Sequence, residues 1–382
     1  MDNKKLSTAT KLAQALRFLD ERTGAIIPPI QATSTYARAE DYGLRKPYWY
    51  KRDGNETTEQ AEAIIADLEG AEDSLLFASG MSACAAVIEH IEDGSHVVVP
   101  KAMYHGVLQL FQDYAARGRL DVSYYDAGSL AGMQAALRED TALVWAESPN
   151  NPDWDVTDIA AFAETAHGVG ARLMTDCTGT PPIATRALEL GADISFHSAT
   201  KYLNGHSDVT AGVLSVKETG AAWEKIALIR KLQGTVLHSF DAYLLIRGMR
   251  TLHIRYARQT ENALKIAAFL EDHSAVERVM YPGLPSHPDH EIATRQTGGA
   301  YGGMLSILVK GGERAAIDTC RYVQVFYPAT SLGGVESLIE HRKTVSGDGF
   351  PVHPALLRIS VGIEDADDLI ADLDQALLRA RG

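Results

Sequence analysis

Between residues 56 and 240 the chain alternates helix-period stretches with short apolar runs: SLLFAS, HVVVP, DVSYYD, ALVWAES, RLMTDC, DISFHSA and AGVLSV. Short apolar runs bounded by turn residues suit strands covered on both faces. The stretches between them carry apolar residues at three- and four-residue spacing, as in Ala61–Leu68, Val107–Ala116 and Ile159–His167. This alternation predicts an α/β fold in which a large, mostly parallel sheet carries helices on both faces.

After residue 240 the pattern changes. A long helical stretch is expected over Asp241–Glu271, then the runs VERVMYP, MLSILVK, VQVFYPA and LLRISVGI, and a final helix near Asp365–Arg379. These read as a smaller C-terminal α+β domain. The first forty-odd residues, with Pro28-Pro29 and a polar, weakly periodic sequence, read as an extended arm. Such an arm must pack on something, and a neighbouring subunit is the expected surface. A chain of 382 residues is long for one core. The expected organisation is an arm over 1–45, an α/β domain over 46–243 and an α+β domain over 244–382.

A net charge of -14 works against nucleic acid or an anionic membrane as the main partner, because both repel an acidic protein. Cys84, Cys177 and Cys320 are scattered, odd in number and free of CxxC pairing, which suggests neither a disulfide framework nor a zinc site. The N-terminal stretch lacks a signal-peptide pattern, and no apolar run reaches about 18 residues. A reducing, cytoplasmic setting is therefore expected, and the Asn55-Glu56-Thr57 sequon is set aside as a modification site. No metal is expected, since His287-Pro288-Asp289-His290 lacks further ligands at suitable spacing. Gly298–Gly303 is not placed as a strand-turn-helix dinucleotide loop.

Chemistry is signalled first by Ser198-Ala199-Thr200-Lys201, just past the strand run DISFHSA. A lysine desolvated at a strand end can lose its proton and attack an aldehyde, while adjacent hydroxyls bind a phosphate. By itself the segment would equally suit a surface lysine. Upstream, RLMTDC ends in Asp176, at the carboxyl edge where open sheets bind ligands. A buried acid there can keep a pyridinium nitrogen protonated, or it can simply cap the turn that follows. Further upstream, Ala78-Ser79-Gly80-Met81-Ser82 opens a helix whose free amides suit a phosphate.

With these three elements in order, the chain resembles the Cys/Met metabolism PLP enzymes, the family of the cystathionine synthases and lyases and methionine γ-lyase. The resemblance rests on TGAIIPPIQATSTYA, FASGMSA, ESPNNP, ALELGADISFHSATKYLNGHSDVTAG, FDAYLLIRGMRTL, SLGGVESLIEH and LLRISVGIEDADDLI, spread over about residues 23–375. It implies a fold-type I, aspartate aminotransferase-like subunit, the cofactor pyridoxal 5'-phosphate, an amino-acid substrate, and a homotetramer built from two close dimers. By this resemblance Lys201 binds the cofactor, Asp176 pairs with its ring nitrogen and Tyr104 stacks on its ring. Ser198, Thr200 and the amides of Gly80 and Met81 hold its phosphate. Tyr50 and Arg52 reach the phosphate of the neighbouring subunit's cofactor. Arg358 holds the substrate α-carboxylate with Ser331 and Asn151, and Thr330 neighbours the distal end of the substrate.

The chain departs from the family pattern at several of these positions. Thr330 stands where glutamate or tyrosine is usual, Cys177 where asparagine is usual, Glu56 replaces a proline, and His105 and Val107 interrupt a Tyr-Gly-Gly-Thr element. A neutral threonine supplies no attraction for the far amino group of cystathionine. The resemblance leads us to expect γ-elimination or γ-replacement of the cystathionine γ-lyase or γ-synthase type, and the departures alone point to an unusual γ-oxygen leaving group such as that of an O-acyl homoserine or canavanine. β-Elimination of the cystathionine β-lyase type is the alternative, and a catalytically inactive binding protein is a more remote one.

Overall fold

The computed structural model describes residues 6–347, 350 and 352–381. All seven apolar runs of the first half form strands: β1 (Asp73–Phe77), β2 (Ser95–Pro100), β3 (Leu120–Tyr125), β4 (Thr141–Glu147), β5 (Arg172–Asp176), β6 (Ile194–His197) and β7 (Gly212–Val216). They make one sheet in the order β1-β7-β6-β5-β4-β2-β3, in which β7 runs antiparallel to both neighbours and the remaining pairs are parallel.

Alternate side chains of these strands feed separate cores. Leu143 and Trp145 join Phe111, Met174 and Phe196 on one face, while Val144 and Ala146 join Phe162 and Leu173 on the other. This two-sided burial explains why a central run such as ALVWAES is nearly continuously apolar. The helix Glu56–Glu69 begins at Asn55, whose carbonyl oxygen Oδ1 accepts from the Thr57 amide at 3.1 Å. Asn55 is fully buried and its amide donates to Gln31 O and the Tyr36 hydroxyl, so the sequon is inaccessible.

The second half forms a five-stranded sheet from β8 (Val276–Met280), β9 (Met304–Val309), β10 (Tyr327–Pro328), β11 (Leu338–His341) and β12 (Leu356–Ser360), ordered β10-β11-β12-β9-β8. The helices Gly312–Tyr322 and Ala366–Ala380 cover it around a core of Ile307, Leu357, Leu369 and Leu373.

Three expectations differ in detail. The stretch over Asp241–Glu271 is two helices, Ser239–Met249 and Leu252–Glu271. Gly248 packs so tightly there that a Cβ would lie 2.2 Å from Asn204 O, and the Arg255 guanidinium gathers the carbonyls of Gly248, Tyr202 and Leu203. The run VQVFYPA yields only the two-residue β10, because the Asp372 carboxylate takes the amides of Gln324, Val325 and Phe326 away from any ladder. The N-terminal segment carries a short helix, Thr8–Ala13, and sends Leu12 and Ala15 into the core of its own chain. Beyond it, Ile26, Tyr42 and Trp49 are exposed.

Candidate active site

Glu147 and Asp176 end β4 and β5 and face each other in the strand register. Lys201 follows β6 within one turn. These carboxyl ends open into a cavity of about 600 Å³, where the sequence reasoning placed a ligand. Gly80, Met81, Tyr104, Asn151, Asp176, Ser198, Thr200, Lys201, Thr330, Ser331 and Arg358 all line it. Tyr50 and Arg52 do not line this chain's cavity. The Arg52 guanidinium instead lies 4.7 Å over the Tyr50 ring, and Tyr50 pairs with Thr35 through a β-bridge.

The Lys201 ammonium donates to Ser331 Oγ at 2.8 Å. Burial, with Arg358 adding repulsion, lowers its pKa to about 8 against the opposing pull of Glu340. Ser331 adopts φ 97°, a left-handed conformation that a non-glycine residue holds only when its surroundings demand it. Here Arg358 donates to Ser331 O at 2.8 Å while Lys201 holds the hydroxyl. Arg358 also donates to Asn151 Oδ1 at 3.3 Å and pairs with Glu340 at 3.0 Å. Burial lowers the Arg358 pKa to about 10, which leaves it charged at neutral pH.

Asp176 is buried, and burial raises its pKa while the bonds from Thr178 lower it. Its Oδ1 accepts the Thr178 amide at 2.9 Å. Glu147 is raised to about 8, first by burial and then by Asp176. Its two oxygens accept from separate walls of the cavity: Oε1 from the Asn151 amide at 2.9 Å and Oε2 from the Tyr104 amide at 2.8 Å. Sequence reasoning missed Glu147. The argument that marked Asp176, an acid at the carboxyl edge of a strand, applies to it equally. Arg342 and Glu340 were also missed, and no local pattern around HRKT would have revealed that Arg342 turns into the cavity.

The helix Gly80–His90 starts at the cavity, which Ser79, Gly80 and Met81 line. Ser79 and Ser82 form a capping box that takes the Ser82 amide, so the amides of Gly80 and Met81 remain for a ligand. A Cβ on Gly80 would come within 3.2 Å of Ser198 Oγ, so glycine brings the helix start against that hydroxyl. The Thr200 hydroxyl exchanges hydrogen bonds with the backbone of Ala211, its oxygen accepting at 2.9 Å and its hydrogen donated at 3.2 Å. A buried lysine with a lowered pKa, a buried acid and a helix start pressed against a serine fit a phosphorylated pyridine aldehyde. Among the departures, His105, Val107 and Thr330 line the cavity. Cys177 is fully buried in the core on the opposite face of the sheet, and Glu56 accepts from the Tyr36 hydroxyl at 2.9 Å.

Among the described residues no group of three or more His, Cys, Asp or Glu could hold a metal ion, and no helix is long and apolar enough to cross a membrane. The family described as Cys/Met metabolism PLP-dependent enzyme matches residues 9–378. Cystathionine gamma-synthase of Mycobacterium tuberculosis is 42% identical over 375 residues, covering 97% of this chain and 96% of that protein. Cystathionine beta-lyase of Coxiella burnetii is 39% identical over 385 residues, covering 98% and 99%. The crystal structure of cystathionine gamma synthase from Xanthomonas oryzae pv. oryzae in complex with aminoacrylate and cysteine superposes with a TM-score of 0.94 at 35% identity, covering 98% of this chain and 99% of that one. By the match over residues 9–378 and these likenesses, the chain belongs to the Cys/Met metabolism family of PLP-dependent enzymes.

Proposed function

We propose that the protein catalyses γ-elimination or γ-replacement on a γ-substituted L-amino acid with a γ-oxygen leaving group, such as an O-acyl homoserine or canavanine. Pyridoxal phosphate, when bound, supplies an electron sink for charge developing at the substrate α carbon. The residues proposed to hold it are Lys201 covalently, Asp176 at the ring nitrogen, Tyr104 on the ring face, and Ser198, Thr200 and the amides of Gly80 and Met81 at the phosphate.

The observation that carries the reading is Lys201 Nζ within 2.8 Å of Ser331 Oγ, whose own backbone carbonyl anchors Arg358. A carboxylate held by Arg358 in a two-pronged pair, with Asn151 and Ser331 beside it, places the α carbon next to Lys201. Nζ, its pKa lowered to about 8 by burial, removes the α proton in its neutral form and then serves the β carbon. Loss of the β proton is what lets a γ substituent leave. The Tyr104 hydroxyl, on the exposed rim, exchanges a proton with the leaving group. The neutral Thr330 favours a leaving group without a distal ammonium.

Tyr50 and Arg52 are proposed to complete the neighbouring subunit's site within a homotetramer of two close dimers. Their absence from the lining of their own cavity and the exposure of Ile26, Tyr42 and Trp49 support that assignment. Such a homotetramer would work in the cytoplasm. β-Elimination, suggested by the likeness to a cystathionine beta-lyase, is the second reading.

Deuterium exchange separates the two. The holoenzyme is incubated with L-norleucine in D2O, and proton signals are followed by NMR. The γ reading predicts exchange at both the α and β carbons. Exchange at the α carbon alone would favour β-elimination.

A further inference from the structure

Arg358 and Asn151 meet in the cavity wall although they come from different halves of the chain: Arg358 stands on β12 and Asn151 on the turn that follows β4. Ser306 lies directly opposite Arg358 in the β9–β12 register, so both side chains leave the same face of the second sheet. Ser306 is fully buried. Its Oγ accepts the Trp154 indole N–H at 2.8 Å and donates to Pro152 O at 2.8 Å. The direction of this chain of bonds is fixed, because an indole can only donate and a carbonyl can only accept.

One hydroxyl therefore ties the turn carrying Asn151 to β9 through both Pro152 and Trp154. Trp154 holds φ 65°, a left-handed conformation that a bulky residue keeps only when its surroundings over-determine it. Its ring is buried in one core with Tyr202, Met304 and Leu332, and its amide donates to Asn150 O at 2.6 Å. Further along the same segment, the Asp289 carboxylate accepts the Val156 amide at 2.9 Å and Gln296 Oε1 accepts the Ile159 amide at 2.8 Å. From the first sheet, Glu147 accepts the Asn151 amide at 2.9 Å. The turn is thus fixed to the second half of the chain, beside the strand pair that carries Arg358.

We infer that Ser306 is a positioning residue for the substrate α-carboxylate, oriented by Trp154: its hydroxyl sets the Asn151 turn against Arg358 so that the carboxylate meets both at once. This rests on the assignment of Arg358 and Asn151 to the α-carboxylate, and it holds whichever bond of the substrate breaks. Without the hydroxyl, the Trp154 N–H and Pro152 O are left unpaired in the interior, and the turn must shift to recover partners. A two-pronged hold on a carboxylate tolerates little misplacement, so the loss falls on ligands that carry one.

Matched ligands read the carboxylate's share of binding without turnover. Dissociation constants of the holoenzyme are measured by cofactor absorbance for L-norleucine and for n-pentylamine, the same chain without its carboxylate. The preference for norleucine should fall about tenfold in Ser306→Ala, through weaker norleucine binding with pentylamine and cofactor affinity unchanged. Trp154→Phe, which keeps a ring but no N–H, should lower it about threefold. An unaltered preference in the folded variants overturns the inference, and so does an equal loss of both ligands, which is what a merely structural role would give. If Ser306→Ala does not fold, Trp154→Phe decides on the same criterion. Arg358→Lys tests the underlying assignment separately. A preference unaltered there places the α-carboxylate elsewhere and removes both readings, whereas a preference lowered in Arg358→Lys and unaltered in Ser306→Ala defeats the positioning role alone. Failure of the γ reading appears independently, as absent exchange at the β carbon.

Discussion

Lys201 has the most direct pH signature. Its pKa is lowered to about 8, so at pH 7 about one molecule in ten carries the neutral amine, against about one in three thousand for an ordinary lysine. The rate at which apoenzyme captures pyridoxal phosphate should therefore rise with pH and level off above about 8. Stopped-flow absorbance measures it, and a rate still climbing steeply at pH 10 would contradict the lowered value. Glu147 makes the opposite kind of statement. Raising a carboxyl pKa means the fold disfavours the charged form, so the folded apoenzyme binds more protons than the unfolded chain. Its contribution is fully present below the unfolded value and is lost as pH rises through about 8. Glu147→Gln should flatten the fall in melting temperature between pH 6 and 9. It should also raise KM severalfold, because a glutamine amide cannot accept from both Tyr104 and Asn151. An unchanged pH slope would show that Glu147 is ionised throughout.

Among the elements, the helix start at Gly80 separates cofactor binding from folding. Gly80→Ala places a methyl against Ser198 and Phe196 while improving helix propensity. We expect cofactor affinity to fall about tenfold with the apoenzyme melting temperature unchanged, read by cofactor titration and calorimetry. Unaltered affinity would remove the helix start from the phosphate site. The elements also show why some of this was legible in sequence and some was not. The central strands such as β4 and β7 were readable because burial on both faces makes their sequences largely apolar, as in the fully buried GVLSV of β7, whereas the edge strand β3, LDVSYY, was marked by its Val, Tyr and bounding turns. By contrast, β11 hid inside SLGGVESLIEH, whose Glu340 and His341 are buried only through specific partners. The break between Ser239–Met249 and Leu252–Glu271 depends on contacts with residues 202–204, about fifty positions away. Local periodicity cannot report such contacts. Arg342 was illegible for the same reason, since only the folded chain brings it beside His105.

For the whole molecule, the decisive feature is that one chain lines its cavity without Tyr50 or Arg52. If close dimers share sites, Lys201→Ala and Arg52→Ala variants are each inactive alone but complement each other. Denatured and refolded together in equal amounts, they should recover about one quarter of wild-type activity, because half the dimers are hybrids and each hybrid has one intact site. No recovery would mean that each chain works with its own residues. The central claim, that this cavity performs γ chemistry, is tested most directly by identifying products. The holoenzyme is mixed separately with cystathionine, O-acyl homoserines, canavanine and β-substituted cysteine conjugates, and the products are read by mass spectrometry. The account predicts four-carbon products, 2-oxobutyrate or homoserine, from the γ-oxygen substrates, or a γ-replacement product when a thiol is present. Pyruvate alone, formed from cystathionine or the cysteine conjugates, would contradict it.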